Sequence, residues 1–112
     1  MTIDYPACHQ IPQLRKLWKA AFGDSDLFLD AFFEHGFSPR RCRCITRDGA
    51  VVSALYWFEA TCRQQRFAYL YAVATAQDCR GQGLFTALLT DVKQVLRQEG
   101  RGVTPFFSLF LL

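Results

Sequence analysis

Arg80-Gly81-Gln82-Gly83 stands directly between an apolar run and an amphipathic one, and those residue types in that order suit the holding of a phosphate. A helix start leaves several amide N–H groups without backbone partners, and the aligned peptide dipoles add roughly half a positive charge there. Glycines ahead of the helix let the backbone approach an anion with no Cβ in the way. Arg80 adds a permanent cation with planar donors. Two glycines before a helix also serve simply to turn a chain, and on these four residues alone that reading stays open. Other phosphate loops fit less well. A P-loop needs Lys followed by Ser or Thr after its second glycine, whereas Leu84-Phe85 follow Gly83; a dinucleotide fingerprint needs a third glycine that is not there.

The elements that must position this loop are legible on both sides. Phe67–Thr75 (FAYLYAVAT) is nearly continuously apolar, as a central strand covered on both faces would be. Beyond the loop, Leu84, Phe85, Leu88, Leu89, Val92, Val95 and Leu96 fall on one side of a helix over Leu84–Glu99. Thr90, Lys93, Gln94, Arg97 and Gln98 fall on the other. Gly100 and Gly102 end that helix, and Val103–Leu112 reads as a last strand, with Pro105 near its start where a missing donor is tolerated.

Upstream, Thr2–Tyr5 suits a short first strand. Ile11, Leu14, Leu17, Trp18 and Ala21 recur at helical spacing after Pro12, and Gly23 ends that helix. Asp24-Ser25-Asp26 offers caps for a second helix with Leu29, Phe32 and Phe33 on its apolar stripe up to Gly36. An alternating strand over Arg41–Arg47, a turn at Asp48-Gly49 and a partner strand over Val51–Phe58 make a hairpin. Thr61–Arg66 makes the next turn. The order predicts an α/β (α+β) domain with a mixed, mostly antiparallel sheet, two N-terminal helices and a strand–loop–helix–strand unit.

Composition bounds the rest. In 112 residues, 51% are hydrophobic and 15% aromatic, with eleven Phe, which is ample for a core and excludes intrinsic disorder. A net charge of +3 is compatible with an anionic ligand without demanding one. Arg40, Arg41, Arg43 and Arg47 are the densest basic residues, and Arg43 and Arg47 share one strand face; the expectation is a solvated charged face, not a nucleic-acid site. Five cysteines, with no CxxC and no signal peptide ahead of them, point to free thiols in a reducing cytoplasm. Cys42 and Cys44 are expected in the core, and no metal site is expected. The apolar tail from Phe106 is shorter than the about 20 residues that span a bilayer, so no membrane partner is expected.

Tyr69–Leu89 (YLYAVATAQDCRGQGLFTALL) resembles motif A of the GNAT superfamily of acyl-CoA-dependent N-acyltransferases. The family pattern Gln/Arg-x-x-Gly-x-Gly/Ala reads here Arg80-Gly81-Gln82-Gly83-Leu84-Phe85, with Phe85 in place of a small residue. The helix pair LRKLWKAAFGDSDLFLDAFFEHGF and the Asp48-Gly49 hairpin are reminiscent of the Eis-like branch. The resemblance implies one GNAT-like domain over residues 1–112 that binds acetyl-CoA. Val73, Ala74 and Thr75 would offer backbone groups to the pantetheine arm. Arg80, Gly81, Gln82, Gly83, Leu84, Phe85 and Thr86 would surround the pyrophosphate. The acetyl carbonyl would lie where the Phe67–Thr75 strand splays from the last one, and a primary amine would attack it.

No catalytic acid or base is assigned: the family's usual tyrosine has no counterpart, and Glu34, His35, Glu59, Tyr69 and Tyr71 are read as surface or packing residues. The chain is read as C-terminally truncated, its activity impaired. The alternatives are a non-catalytic acyl-CoA-binding pseudoenzyme and a structural subunit that self-associates or pairs through its last strand.

Overall fold

Thirteen residues of alternating and β-branched character, Ala50–Cys62, build the longest strand of the sheet, and the rest of the fold is organised around it. The computed structural model describes residues 1–99, 102–103 and 110–111. In chain order these form β1 (Thr2–Asp4), α1 (Ile11–Phe22), α2 (Asp26–Ala31), β2 (Cys42–Arg47), β3 (Ala50–Cys62), β4 (Gln65–Thr75), α3 (Leu84–Gln98), β5 (Gly102–Val103) and β6 (Phe110–Leu111). Strands β1 to β4 are antiparallel neighbours, and the short β5 and β6 both pair with β4 in parallel. The mixed α/β architecture is the expected one. Most of the anticipated last strand falls on residues 104–109 and 112, outside the described residues.

Local chemistry explains the boundaries. Gly23 closes α1 in a left-handed conformation (φ 71°), donating its N–H to the Lys19 carbonyl at 2.9 Å. The Ser25 hydroxyl caps α2 by accepting from the Phe28 amide. Past Ala31 the helix widens into a π-turn over Phe32–Gly36 that ends with Phe37 N–H on the Phe32 carbonyl. The Asp48-Gly49 hairpin has both residues at positive φ, the tight primed turn its sequence predicts. The next turn is tighter than expected. Only Arg63 and Gln64 lie outside the strands, at φ 51° and 66°, and Cys62 pairs with Gln65. A non-glycine pair in that region carries no sequence signal, so a six-residue turn was the natural expectation.

Each sheet face buries a different kind of core. On one side α1 and α2 lie over Cys42, Cys44, Ala54, Tyr56, Ala72 and Ala74, with Leu14, Leu17, Trp18 and Leu29 from the helices. On the other, Leu84, Leu88, Val92 and Leu96 of α3 lie over Ile45, Leu55, Trp57, Leu70 and Val73. Cys42 and Cys44 are core residues, as their alternation implied.

Of the two arginines on the charged strand face, Arg43 is not solvated. Arg43 is only 8% exposed. Its guanidinium donates to both Asp91 carboxylate oxygens, at 2.7 and 3.0 Å, and to the Ile3 carbonyl at 3.4 Å. It also lies 4.6 Å from the centre of the Tyr5 ring. Because Asp91 sits at the middle of α3, an arginine at a strand position facing α3 finds its partner across 48 residues. Spacing along the strand cannot reveal that.

Candidate functional site

The loop and helix start form the floor of a cleft of about 320 Å³, lined by Val73, Thr75, Cys79, Arg80, Gly81, Gly83, Leu84 and Phe85. Gly81 and Gly83 sit at φ 76° and 77°, and a Cβ built on either would meet open space. Their requirement is therefore conformational: a side chain there would be strained, and the space above each glycine is left to whatever approaches the backbone. Gly83 is the N-cap of α3 and contributes no side-chain cap, while Ala87 makes the first helical bond to its carbonyl at 3.1 Å. Among the described residues, no protein acceptor meets the amides of residues 81–86. They form a cluster of unpaired donors on the helix axis.

Side chains frame this cluster. Arg80 is exposed and folds back so that Nε donates to the Thr75 carbonyl at 3.2 Å. Thr75 is anchored from below by an oxygen–oxygen contact of 2.8 Å with Ser53 Oγ, and Ala76 N–H donates to the Val52 carbonyl. Arg47, expected to be merely solvated, reaches the loop from β2 and donates Nη1 to Gln82 Oε1 at 2.8 Å. Phe85 turns into the α3 core and is half-buried against it. Burial and the neighbouring Asp78 push the Cys79 thiol up from its ordinary value.

Of the ten residues anticipated for cofactor binding, seven line the cleft: Val73, Thr75, Arg80, Gly81, Gly83, Leu84 and Phe85. Ala74 is fully buried toward α1, and the exposed Gln82 and Thr86 lie outside the lining. Cys79, which had no signal in the motif reading, is added. The expected splay is occupied at one point, where Phe110 and Leu111 stand in parallel register with Ala72 and Val73. An apolar segment running beside an unpaired strand edge is free to take its donors.

A second feature escaped the sequence reading. Tyr56 pairs with Ala72 and Trp57 with Leu70, so Tyr71 is an extra residue on β4, a β-bulge. The bulge puts Tyr71 and Ala72 on the same face, toward α1, and so turns Val73 toward α3. A continuous apolar strand gives no period from which such a flip could be read. Burial pushes the Tyr71 phenol well above its ordinary range, so it stays protonated. Of the other candidates, Glu34 and His35 form an exposed contact of 3.7 Å, and Glu59 meets Arg66 at 3.4 Å; none of them lines the cleft.

A family model described as an acetyltransferase (GNAT) domain matches residues 3–107. Comparison with curated proteins finds no match. Among solved structures, a ribosomal-protein-alanine N-acetyltransferase from Brucella melitensis biovar Abortus 2308 superposes with a TM-score of 0.74 at 14% identity, over 97% of this chain and 78% of that one. An acetyltransferase from the GNAT family of Colwellia psychrerythraea gives 0.78 at 17% identity, over 92% and 38%. An aminoglycoside antibiotic 6′-N-acetyltransferase from Acinetobacter haemolyticus gives 0.71 at 12% identity, over 98% and 79%. At such identities the structural matches establish the fold.

Proposed function

The chain belongs to the GNAT acetyltransferase family, and from that premise we propose that it moves an acetyl group from acetyl-CoA to a primary amine. The observation that carries this reading is the cluster of unpaired amides at residues 81–86, open to the cleft at the head of a 15-residue helix. Arg80-Gly81-Gln82-Gly83-Leu84-Phe85 then serves as the motif A turn, with the diphosphate accepting from the main-chain N–H groups and Arg80 supplying a cation at the rim. The α1–α2 pair ahead of the β2–β3 hairpin fits the Eis-like arrangement.

Val73, Ala74 and Thr75 are the backbone along which the pantetheine arm extends. An amine held at the acyl carbonyl attacks it directly, and a backbone N–H near Val73 stabilises the tetrahedral oxyanion. The C–N bond forms first, giving that tetrahedral adduct; its collapse restores the carbonyl and breaks the C–S bond, the CoA thiolate leaves, and the amine's proton is lost to solvent or to a base. Full seating of the arm on this edge requires Phe110–Leu111 to give up Ala72 and Val73. Phe110→Pro together with Leu111→Pro removes both amides that β6 can offer to that pairing, and the double variant is expected to tighten acetyl-CoA binding in titration calorimetry.

One observation favours a second reading, a non-catalytic acyl-CoA-binding protein: none of Glu34, His35 and Glu59 lines the cleft. Two measurements decide. Acetyl-CoA at a hundred times its dissociation constant should raise stability by about 2.7 kcal/mol, a melting shift of roughly 10 °C or more. No shift at millimolar acetyl-CoA in a folded sample removes both readings. Thiol release with a panel of amines supports transfer, and binding without release supports the second reading.

A further inference from the structure

The α1/α2 face of the sheet carries an unbroken strip of aromatic rings that the core does not finish covering. Phe28 stacks on Phe32 with centroids 6.2 Å apart and planes at 11°, and Phe32 lies 6.3 Å from Tyr71. Tyr71 stacks in turn on Phe58 at 4.1 Å and 11°. The middle of the strip rests on Trp18 and Tyr56, while its ends stay open to water: Phe28, 6.4 Å from Trp18, is 45% exposed, and Phe58 is 44% exposed. Single exposed apolar side chains are ordinary, whereas rings in continuous contact that stay open to water mark a surface used for recognition.

Position says what the strip is for. It reaches β4 at Tyr71, the bulged residue, two positions before Val73. On the opposite face β4 packs against Leu84 and Leu88 of α3, and the cleft left open there is the one proposed for the diphosphate. An amine approaching an acyl carbonyl at Val73 therefore comes from the aromatic side. The rings narrow the ligand further. An aromatic group carried by the amine finds partners to stack on along the strip.

We propose that the acceptor is an amine carrying an aromatic or comparably apolar group, and that Phe58 and Tyr71 hold that group while the amine faces Val73. The inference rests on acetyl-CoA lying along Val73–Thr75, as set out above. It makes Phe58 a specificity-determining residue, since Phe58 is exposed, lies outside the phosphate cleft and is stacked on the one ring that adjoins the reacting position.

The test compares 2-phenylethylamine with ethanolamine in the thiol-release assay, using the full chain saturated with acetyl-CoA. The wild type should prefer the phenyl compound in kcat/KM by about tenfold or more. Phe58→Ala should abolish most of that preference through KM, with a smaller loss for ethanolamine and an unchanged acetyl-CoA Kd, and Phe58→Tyr should restore it. Saturation-transfer NMR of both amines on the CoA-loaded protein reads the same contrast where turnover is too slow to measure. Equal use or equal binding of the two amines overturns the proposal, as does a wild-type dimer that Phe58→Ala dissociates without altering amine preference. If acetyl-CoA itself fails to bind, the transferase reading fails and takes this one with it; binding without amine preference sinks only the inference.

Discussion

The two faces of the sheet are built to opposite specifications. On the α3 face an aliphatic stripe of Leu84, Leu88, Val92 and Leu96, each 4% exposed or less, seats the helix, and the Arg43–Asp91 pair fastens its middle. On the α1/α2 face the core is aromatic, spread over Trp18, Phe32, Phe37, Tyr56 and Tyr71, and it opens to water at Phe28 and Phe58. Each face buries one polar atom with no partner among the described residues, the Tyr56 hydroxyl on this side and Trp57 Nε1 on the α3 side. A helix held by close aliphatic packing and a bidentate ion pair keeps its N-terminal amides in one place, which suits a fixed diphosphate. An aromatic face with unfilled ends offers a broad apolar surface to a less tightly specified guest. In the reading proposed above, the donor substrate lies against one face and the acceptor against the other.

Substitutions break or sharpen that contrast, and the largest effect belongs to the fastening of α3. Arg43→Ala leaves Asp91 facing the sheet without its partner. Asp91 keeps some water contact, its side chain being 21% exposed, so the expected cost is about 2–3 kcal/mol, below the range for a fully buried pair. Thermal unfolding should show a melting drop of roughly 10 °C or more. An unchanged melting temperature would mean the aliphatic stripe holds α3 unaided.

Gly83→Asp comes next. It sets a negative charge and a Cβ over the amide cluster and is expected to weaken acetyl-CoA binding about a hundredfold while costing the fold only about 1 kcal/mol. Normal affinity in a folded variant would show that the phosphates lie elsewhere. Arg80→Ala removes one rim cation while the amide donors remain, so calorimetry should find a loss of about tenfold or less. Arg47→Ala is the smallest change. Its contact with Gln82 is exposed, and a weakening of about threefold that disappears in high salt is expected. A salt-independent loss would point to a role in shaping the loop and not in attracting the anion.

The glycine turn ahead of α3 was readable because its signal is local: two glycines, an arginine and an amphipathic helix all follow one another in the chain. The hairpin at Asp48-Gly49 and the caps at Gly23 and Ser25 were readable for the same reason. What escaped involved residues far apart. Arg43 looked like one of a pair of solvated charges until Asp91 came to meet it, and Arg47 acquired Gln82 in the same way. The bulge at Tyr71 was invisible because both faces of β4 are apolar, so the extra residue disturbs no pattern.

Taken alone, the chain's sequence determined its class of fold, the turn that presents backbone amides and the helix behind it, because φ preferences, capping and periodicity act over a few neighbouring residues. Only the tertiary structure decided which face of β4 each side chain occupies, which charge is buried and which rings stay open to water. Those outcomes depend on strand register and on partners dozens of residues away, and no short stretch of sequence encodes them.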